Sequence, residues 1–168
     1  GDKCNIVFGE QDGRHTPKAV AVRDAMKDAG IDVHLSSNVV GELWKKLIYI
    51  CAWSGMICMT RASMADITGT PEANDLTRRV MREVEAVAGA SGVDVDPVHV
   101  DRPMAYFQKT REGAVSSMFT HLQTCSSLEV DVLNGAVTRL GVELGVPTPG
   151  NEFIAGCLAV AHNRALSQ

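Results

Sequence analysis

Lys46, Ser117 and Glu129 are the residues of this chain whose types and surroundings suit chemistry. Lys46 lies in Trp44-Lys45-Lys46-Leu47-Ile48-Tyr49-Ile50-Cys51-Ala52-Trp53-Ser54, where two lysines run into the most apolar segment, which continues to Met59. Partial desolvation beside so much apolar surface would make such an ammonium group a usable acid. On a helix Lys46 shares a face with Glu42, Ile50 and either Trp53 or Ser54. The plain alternative is an i,i+4 surface pair of Glu42 with Lys46, the lysine stems lying along apolar surface. Ser117 lies in Ser116-Ser117-Met118-Phe119-Thr120-His121. It could serve simply as a helix cap. Glu129 lies in Leu128-Glu129-Val130-Asp131-Val132-Leu133-Asn134-Gly135 and also completes an S-x-x-E capping box with Ser126.

Other chemistries lack their residues. No GxGxxG or GxxxxGK[ST] is present, and Gly9-Glu10-Gln11-Asp12-Gly13 reads as a turn. Ser54 precedes Gly55 outside any GxSxG. The five histidines are scattered without HExxH, so no metal site is expected. The five cysteines form no CxxC and read as reduced, cytoplasmic thiols. A formal charge of -4 with no basic run argues against nucleic acid and polybasic membrane surfaces. The first residues carry no signal peptide, and Leu47–Met59 is shorter than the roughly 20 residues of a membrane span. A soluble, cytoplasmic chain is expected.

The positioning elements follow from caps and periodicity. Asn5–Phe8 and Ile31–Leu35 read as strands, joined by a helix that starts at Thr16-Pro17 and ends at Gly30. Ala19, Val22, Ala25, Met26 and Ala29 mark its apolar face. This strand–helix–strand cannot close a sheet, so the tail of a larger α/β domain is expected. After a Ser36-Ser37-Asn38 cap, everything is predicted helical. The long helix carrying Lys46 comes first, with Gly55 as a point for a bend. Thr70-Pro71-Glu72 caps the next. Leu76, Val80, Val84, Val87 and Ala88 form its inner face, with Arg78, Arg79, Arg82 and Glu83 toward water. A short helix is expected over 98–109, another from Ser116, and one from Ser126 to Gly145. Thr148-Pro149 caps the last, which ends near Ala165.

Taken in order, GExDG (9–13), LWxKL (Leu43, Trp44, Lys46, Leu47), SSM (116–118), LExDxLNG (128–135) and GVPTP (145–149) resemble the C-terminal part of the ketopantoate reductase family. The resemblance covers essentially the whole chain. It implies a mainly α fold: an all-helical domain of the 6-phosphogluconate dehydrogenase C-terminal-like type over 37–168. Residues 1–36 would be the last strand–helix–strand of a truncated α/β (Rossmann) domain. It implies NADPH, bound mainly by the missing N-terminal domain, a small 2-keto acid as substrate, and reduction of ketopantoate in pantothenate biosynthesis. Lys46 would stabilise the developing alkoxide and give the proton. Ser117 would bind substrate, its hydroxyl donating to a carboxylate oxygen, and Glu129 would act at the cofactor–substrate junction.

The chain departs from the family's best-known members at Ile50, Ser54 and Met64, where those carry asparagines. A site that loses such partners loses about 2–4 kcal/mol toward a polar substrate, so a more apolar 2-keto acid is an alternative substrate. A non-catalytic helical interaction domain is the alternative of another class. The chain alone is expected to be inactive. Its own N-terminal Rossmann domain is the expected partner, and an open sheet edge predicts self-association, a homodimer among the forms.

Overall fold

The computed structural model describes residues 5–93, 95–96, 98–107 and 116–167. The chain divides into two compact units, Gly1–Trp44 and Lys45–Gln168.

In the first unit, β1 (Asn5–Phe8) and β2 (Asp32–Leu35) pair in parallel, from Asn5 opposite Asp32 to Phe8 opposite Leu35. Alternation works as expected in β2: Val33 and Leu35 are buried, Asp32 and His34 exposed. Between them runs α1 (Pro17–Asp28), where Thr16 Oγ1 accepts from Ala19 N and Pro17 occupies the first turn. Its apolar face is less used than its sequence suggests. Only Ala19 is buried, and Val22 is 38% exposed. Two strands offer too little surface to cover a helix of this length. Asn38 starts the next helix, its Oδ1 accepting from Gly41 N.

That helix, α2 (Val39–Thr60), continues into the second unit and becomes its centre. Every residue from Cys51 to Cys58 is buried. A helix apolar on all sides must be wrapped on all sides, and the bonds and packing around this stretch show the wrapping. Gly55 belongs to an uninterrupted helix. Its use is close approach: a Cβ there would lie 3.0 Å from Ile154 Cγ2. Ser63 then caps α3 (Met64–Gly69), a short helix that periodicity does not separate from its neighbours.

In α4 (Pro71–Ala90), Val80, Val84, Val87 and Ala88 are fully buried, as the pattern predicts. Three details correct it. Leu76 is 37% exposed. The Thr70 hydroxyl donates back to Asp66 O, leaving the N-terminus without a side-chain cap. Glu83 is half-buried and hydrogen-bonded. Helix α5 (Val98–Phe107) falls within the span expected, whose residues 108–109 lie outside the described ones. Ser116 caps α6 (Ser117–Gln123) through Phe119 N. The single helix expected from Ser126 to Gly145 is broken. Glu129–Asp131 is a 3-10 turn, and α7 spans Asn134–Leu144. The capping box of Ser126 with Glu129 is not formed, since Leu128 holds the cap position without a side-chain bond. Gly145, at φ +69, ends α7 in the left-handed region. α8 spans Pro149–Leu166.

Helices thus dominate, as the mainly α prediction has it. Among the described residues no helix is long and apolar enough to cross a membrane, and no cluster of side chains could hold a metal ion.

The core of the second unit holds three acids in the wrong solvent. Burial pushes the Cys51 thiol from 9.0 up to about 12. Burial pushes Cys58 to about 11, against the opposing hydrogen bond from Ser116. Tyr49 rises from 10.0 to about 12 through burial and its neighbour Tyr106. Each folded-state pKa lies above its unfolded value, so the folded chain keeps protons that the unfolded chain releases. The associated stability is fully present below about pH 9 and is lost as pH rises through 11–12. Melting temperature is therefore expected to fall above about pH 9, and Cys51→Ala is expected to flatten part of that fall. A melting temperature independent of pH between 9 and 11 would contradict this.

Candidate active site

Lys46 projects from the third turn of α2 and is exposed. None of the ion pairs among the described residues involves it. Its helical neighbours on the same face, Tyr49, Ile50 and Trp53, are half-buried or buried. The rings of Tyr49 and Trp53 stack, with centroids 5.6 Å apart and planes 16° apart. Each lies 5.3 Å from Phe107 of α5, and Tyr106 stands 6.5 Å from Tyr49. The backbone of Lys46 thus stands one helical turn before an aromatic cluster on the same face. Ser54, two turns beyond Lys46, is only 2% exposed and is turned into the core.

Ser117 is the first residue of α6, and its side chain is exposed. Its neighbour Ser116 does the capping, so the hydroxyl of Ser117 is left for other use. Ser116 is anchored twice. Its Oγ accepts from Phe119 N at 3.1 Å, and its hydroxyl bonds the thiol of Cys58. Cys58 lies twelve residues beyond Lys46, about 18 Å along the helix axis.

The LExDxLNG stretch divides its labour. Leu128 is buried, and its N–H donates to His162 Nδ1 at 2.9 Å. Asp131 Oδ1 pairs with Arg139 Nη1 at 2.7 Å, while Arg139 Nη2 donates to Asp131 O at 3.0 Å. Asn134 is fully buried and donates to Cys51 O of α2 and to Asn151 Oδ1 of α8. Gly135 packs where a Cβ would meet Val130 O at 3.3 Å. The turn is pinned on both sides. The Glu129 carboxylate stays exposed, with no hydrogen bond among the described residues. No hydrogen bond or ion pair among the described residues joins Lys46, Ser117 and Glu129 directly. Each projects separately, from a helix, a helix start and a turn.

Sequence reasoning missed the network that fixes these elements. Glu83 of α4, expected to face water, accepts from Gly150 N and Asn151 N, both at 2.9 Å, and from Asn151 Nδ2 at 2.7 Å. It caps α8 from another helix, in place of the expected Thr148. Asn151 Nδ2 also donates to Val80 O, and Asn151 Oδ1 accepts from Asn134. Glu83, Asn151 and Asn134 thereby connect α4, α8 and α7 to the backbone of α2. Partners 17 to 83 residues apart leave no local signal.

The turn after β1 offers no cradle for phosphates. Gly13 N donates to Glu10 O at 3.0 Å, Thr16 Oγ1 donates to Glu10 Oε1 at 2.7 Å, and Arg14 is taken by Asp12 at 2.6 Å. Its polar groups are satisfied internally, and its two carboxylates would repel a pyrophosphate.

The sequence profile of the family described as "Ketopantoate reductase PanE/ApbA C terminal" matches residues 38–162. The 2-dehydropantoate 2-reductase of Caulobacter vibrioides is 30% identical over 131 residues, covering 78% of this chain and 44% of the relative. The crystal structure of a PanE/ApbA family ketopantoate reductase from Ralstonia eutropha superposes at a TM-score of 0.86 with 27% identity, over 98% of this chain and 53% of that one. A D-mandelate dehydrogenase, solved with NADH and anilino(oxo)acetate, shares the fold at a TM-score of 0.80 and 20% identity, over 95% of this chain and 67% of that one. The chain spans about half the length of the curated relatives it matches. On the strength of the match over 38–162, the chain belongs to the ketopantoate reductase family.

Proposed function

We propose that this chain is the catalytic half of an enzyme that reduces a 2-keto acid to a 2-hydroxy acid with NADPH. Residues 1–36 complete a nucleotide-binding Rossmann domain, and 37–168 form the substrate domain. 2-Dehydropantoate is the substrate that the relatives' names carry. The observation that carries the proposal is an exposed lysine one helical turn from an aromatic cluster, on the central helix of the stretch that matches the family.

A nicotinamide, when bound by the nucleotide-binding half, would supply a hydride to the carbonyl carbon. Negative charge then gathers on the carbonyl oxygen. The Lys46 ammonium stabilises that charge and transfers its proton to the oxygen, leaving an alcohol and a neutral amine that solvent reprotonates. Ser117 donates to the substrate carboxylate, and the pinned turn presents Glu129 to a ribose hydroxyl or to the lysine. Support for these roles is that all three side chains are exposed, while their neighbours Ser116, Asp131 and Asn134 are committed to structure.

The test is NADPH oxidation against a panel of 2-keto acids. The domain joined to its nucleotide-binding half is expected to turn over at least one of them, and residues 1–168 alone none. A keto-acid-dependent rate from residues 1–168 alone would show that the division of labour is wrong. No rate in the joined protein would leave the helical domain as an interaction module.

A further inference from the structure

We infer that His162 is a positioning residue for the reduction: its ring, unprotonated at Nδ1, fixes the turn that presents Glu129. This rests on the reductase reading above.

A carboxylate serves a reacting centre only where its backbone holds still, and the turn that carries Glu129 has little local support. Glu129–Asp131 is one 3-10 turn, and Leu128 before it offers no side-chain cap. Leu128 and Val130 are buried, while Glu129 and Asp131 are exposed. Two side chains from other helices hold the turn. On its far side Arg139 of α7 bonds both Asp131 Oδ1 and Asp131 O. The side chains of that pair are 55% and 66% exposed, so water screens it. On the near side Nδ1 of His162, from α8, accepts from Leu128 N at 2.9 Å. Among the described residues no other hydrogen bond reaches that N–H. His162 is half-buried and Leu128 only 4% exposed, so water is a poor substitute there. The buried tether, one residue before Glu129, therefore governs where the carboxylate stands.

The tether also fixes the chemistry of the ring. Imidazole accepts at Nδ1 only when that nitrogen carries no proton, so the ring is neutral with its proton on Nε2. The amide oxygen of asparagine lies as many bonds from the backbone as Nδ1 does and can accept in its place. That of glutamine lies one bond farther, and alanine offers no acceptor.

The experiment measures kcat and KM for a 2-keto acid in the enzyme that joins this domain to its nucleotide-binding half, with nitrogen NMR of the His162 ring. The ring is expected as the Nε2–H tautomer, and an Nδ1–H ring overturns the inference. At a temperature where every variant is folded, His162→Ala is expected to lower kcat/KM by about 10-fold or more, as a misplaced group at a reacting centre does. His162→Asn should recover the rate to within about 3-fold of wild type. In a Glu129→Ala background His162→Ala should cost no more than about 2-fold further, because the group it positions is gone. A loss that persists undiminished in that background, or that His162→Asn does not recover, makes the role purely structural and overturns the inference. Wild-type kinetics in either His162→Ala or Glu129→Ala overturn it as well. In each of these cases the reductase reading stands. Should His162→Ala fail to fold, His162→Gln takes its place in the same cycle. If the joined, folded protein reduces no 2-keto acid, the reductase reading itself falls, and this inference with it.

Discussion

Lys46→Ala is expected to lower kcat/KM for the keto acid by about 1,000-fold or more, because it removes both the charge that stabilises the alkoxide and the proton that quenches it. The fold should not notice. Lys46 is exposed and takes part in none of the ion pairs among the described residues, so stability should change by less than about 0.5 kcal/mol. Lys46→Arg separates the two roles. It restores a positive charge, but a guanidinium does not give up its proton, so it should recover little of the rate. Lys45 supplies the control for register. It is half-buried and already engaged within the chain, and Lys45→Ala should cost less than about 10-fold. Steady-state kinetics with melting curves on the three variants settle the matter. If Lys45→Ala abolishes turnover while Lys46→Ala does not, the proton donor has been assigned to the wrong lysine.

Legibility in the sequence followed range. Features set by a few neighbouring residues were readable: the Thr16-Pro17 start of α1, the alternation of β2, the Gly145 stop and the apolar run that becomes the central helix. The sequence offered Ser117 as the cap of α6, and the structure gives that place to Ser116, whose Oγ accepts from Phe119 N. Failures came where distant chain decides. Leu76 fits the apolar period of α4, yet no element covers it fully. Glu83 fits the polar face of the same helix, yet the backbone of α8 arrives opposite it. The short α3 and the 3-10 turn at Glu129 interrupt patterns that look continuous, because Ser63 caps the one while His162, from α8, and Arg139, from α7, hold the other. The site was legible in part for the same reason. The types of Lys46, Ser117 and Glu129 are local facts, whereas the pinning that leaves Glu129 unpaired and the aromatic cluster one turn from Lys46 depend on residues far along the chain.

The Glu83 network has the largest expected effect on stability. Its carboxylate receives three N–H groups, two from the first turn of α8 and one from Asn151, at 2.7 to 2.9 Å. Hydrogen bonds to a charged acceptor contribute about 1.5–3 kcal/mol each, though not additively. An anion at a helix N-terminus adds about 0.3–1 kcal/mol. Glu83→Ala strips all of this and leaves buried donors of Asn151 short of a partner. The expected loss is about 3–4 kcal/mol, or about 10 °C in melting temperature for a chain of this size. Glu83→Gln keeps one oxygen but turns an NH2 group toward other donors, so it should lose roughly half as much. Glu85 on the same helix is the contrast. It pairs with Arg82 three residues away at 2.8 Å, partly exposed, and Glu85→Ala should cost less than about 1 kcal/mol. A double-mutant cycle of Glu83→Ala with Asn151→Ala should show coupling of about 1–2 kcal/mol, since the two side chains share a bond. Asn151 passes the constraint to Asn134, which holds the backbone of α2 at Cys51, five residues beyond Lys46, and begins the helix that follows the Glu129 turn. A network this placed fixes the site as well as the fold. In the joined enzyme, Glu83→Gln at a temperature where it remains folded should therefore raise KM more than Glu85→Ala does. Equal kinetics in the two variants, with the stability difference intact, would confine the network to stability alone.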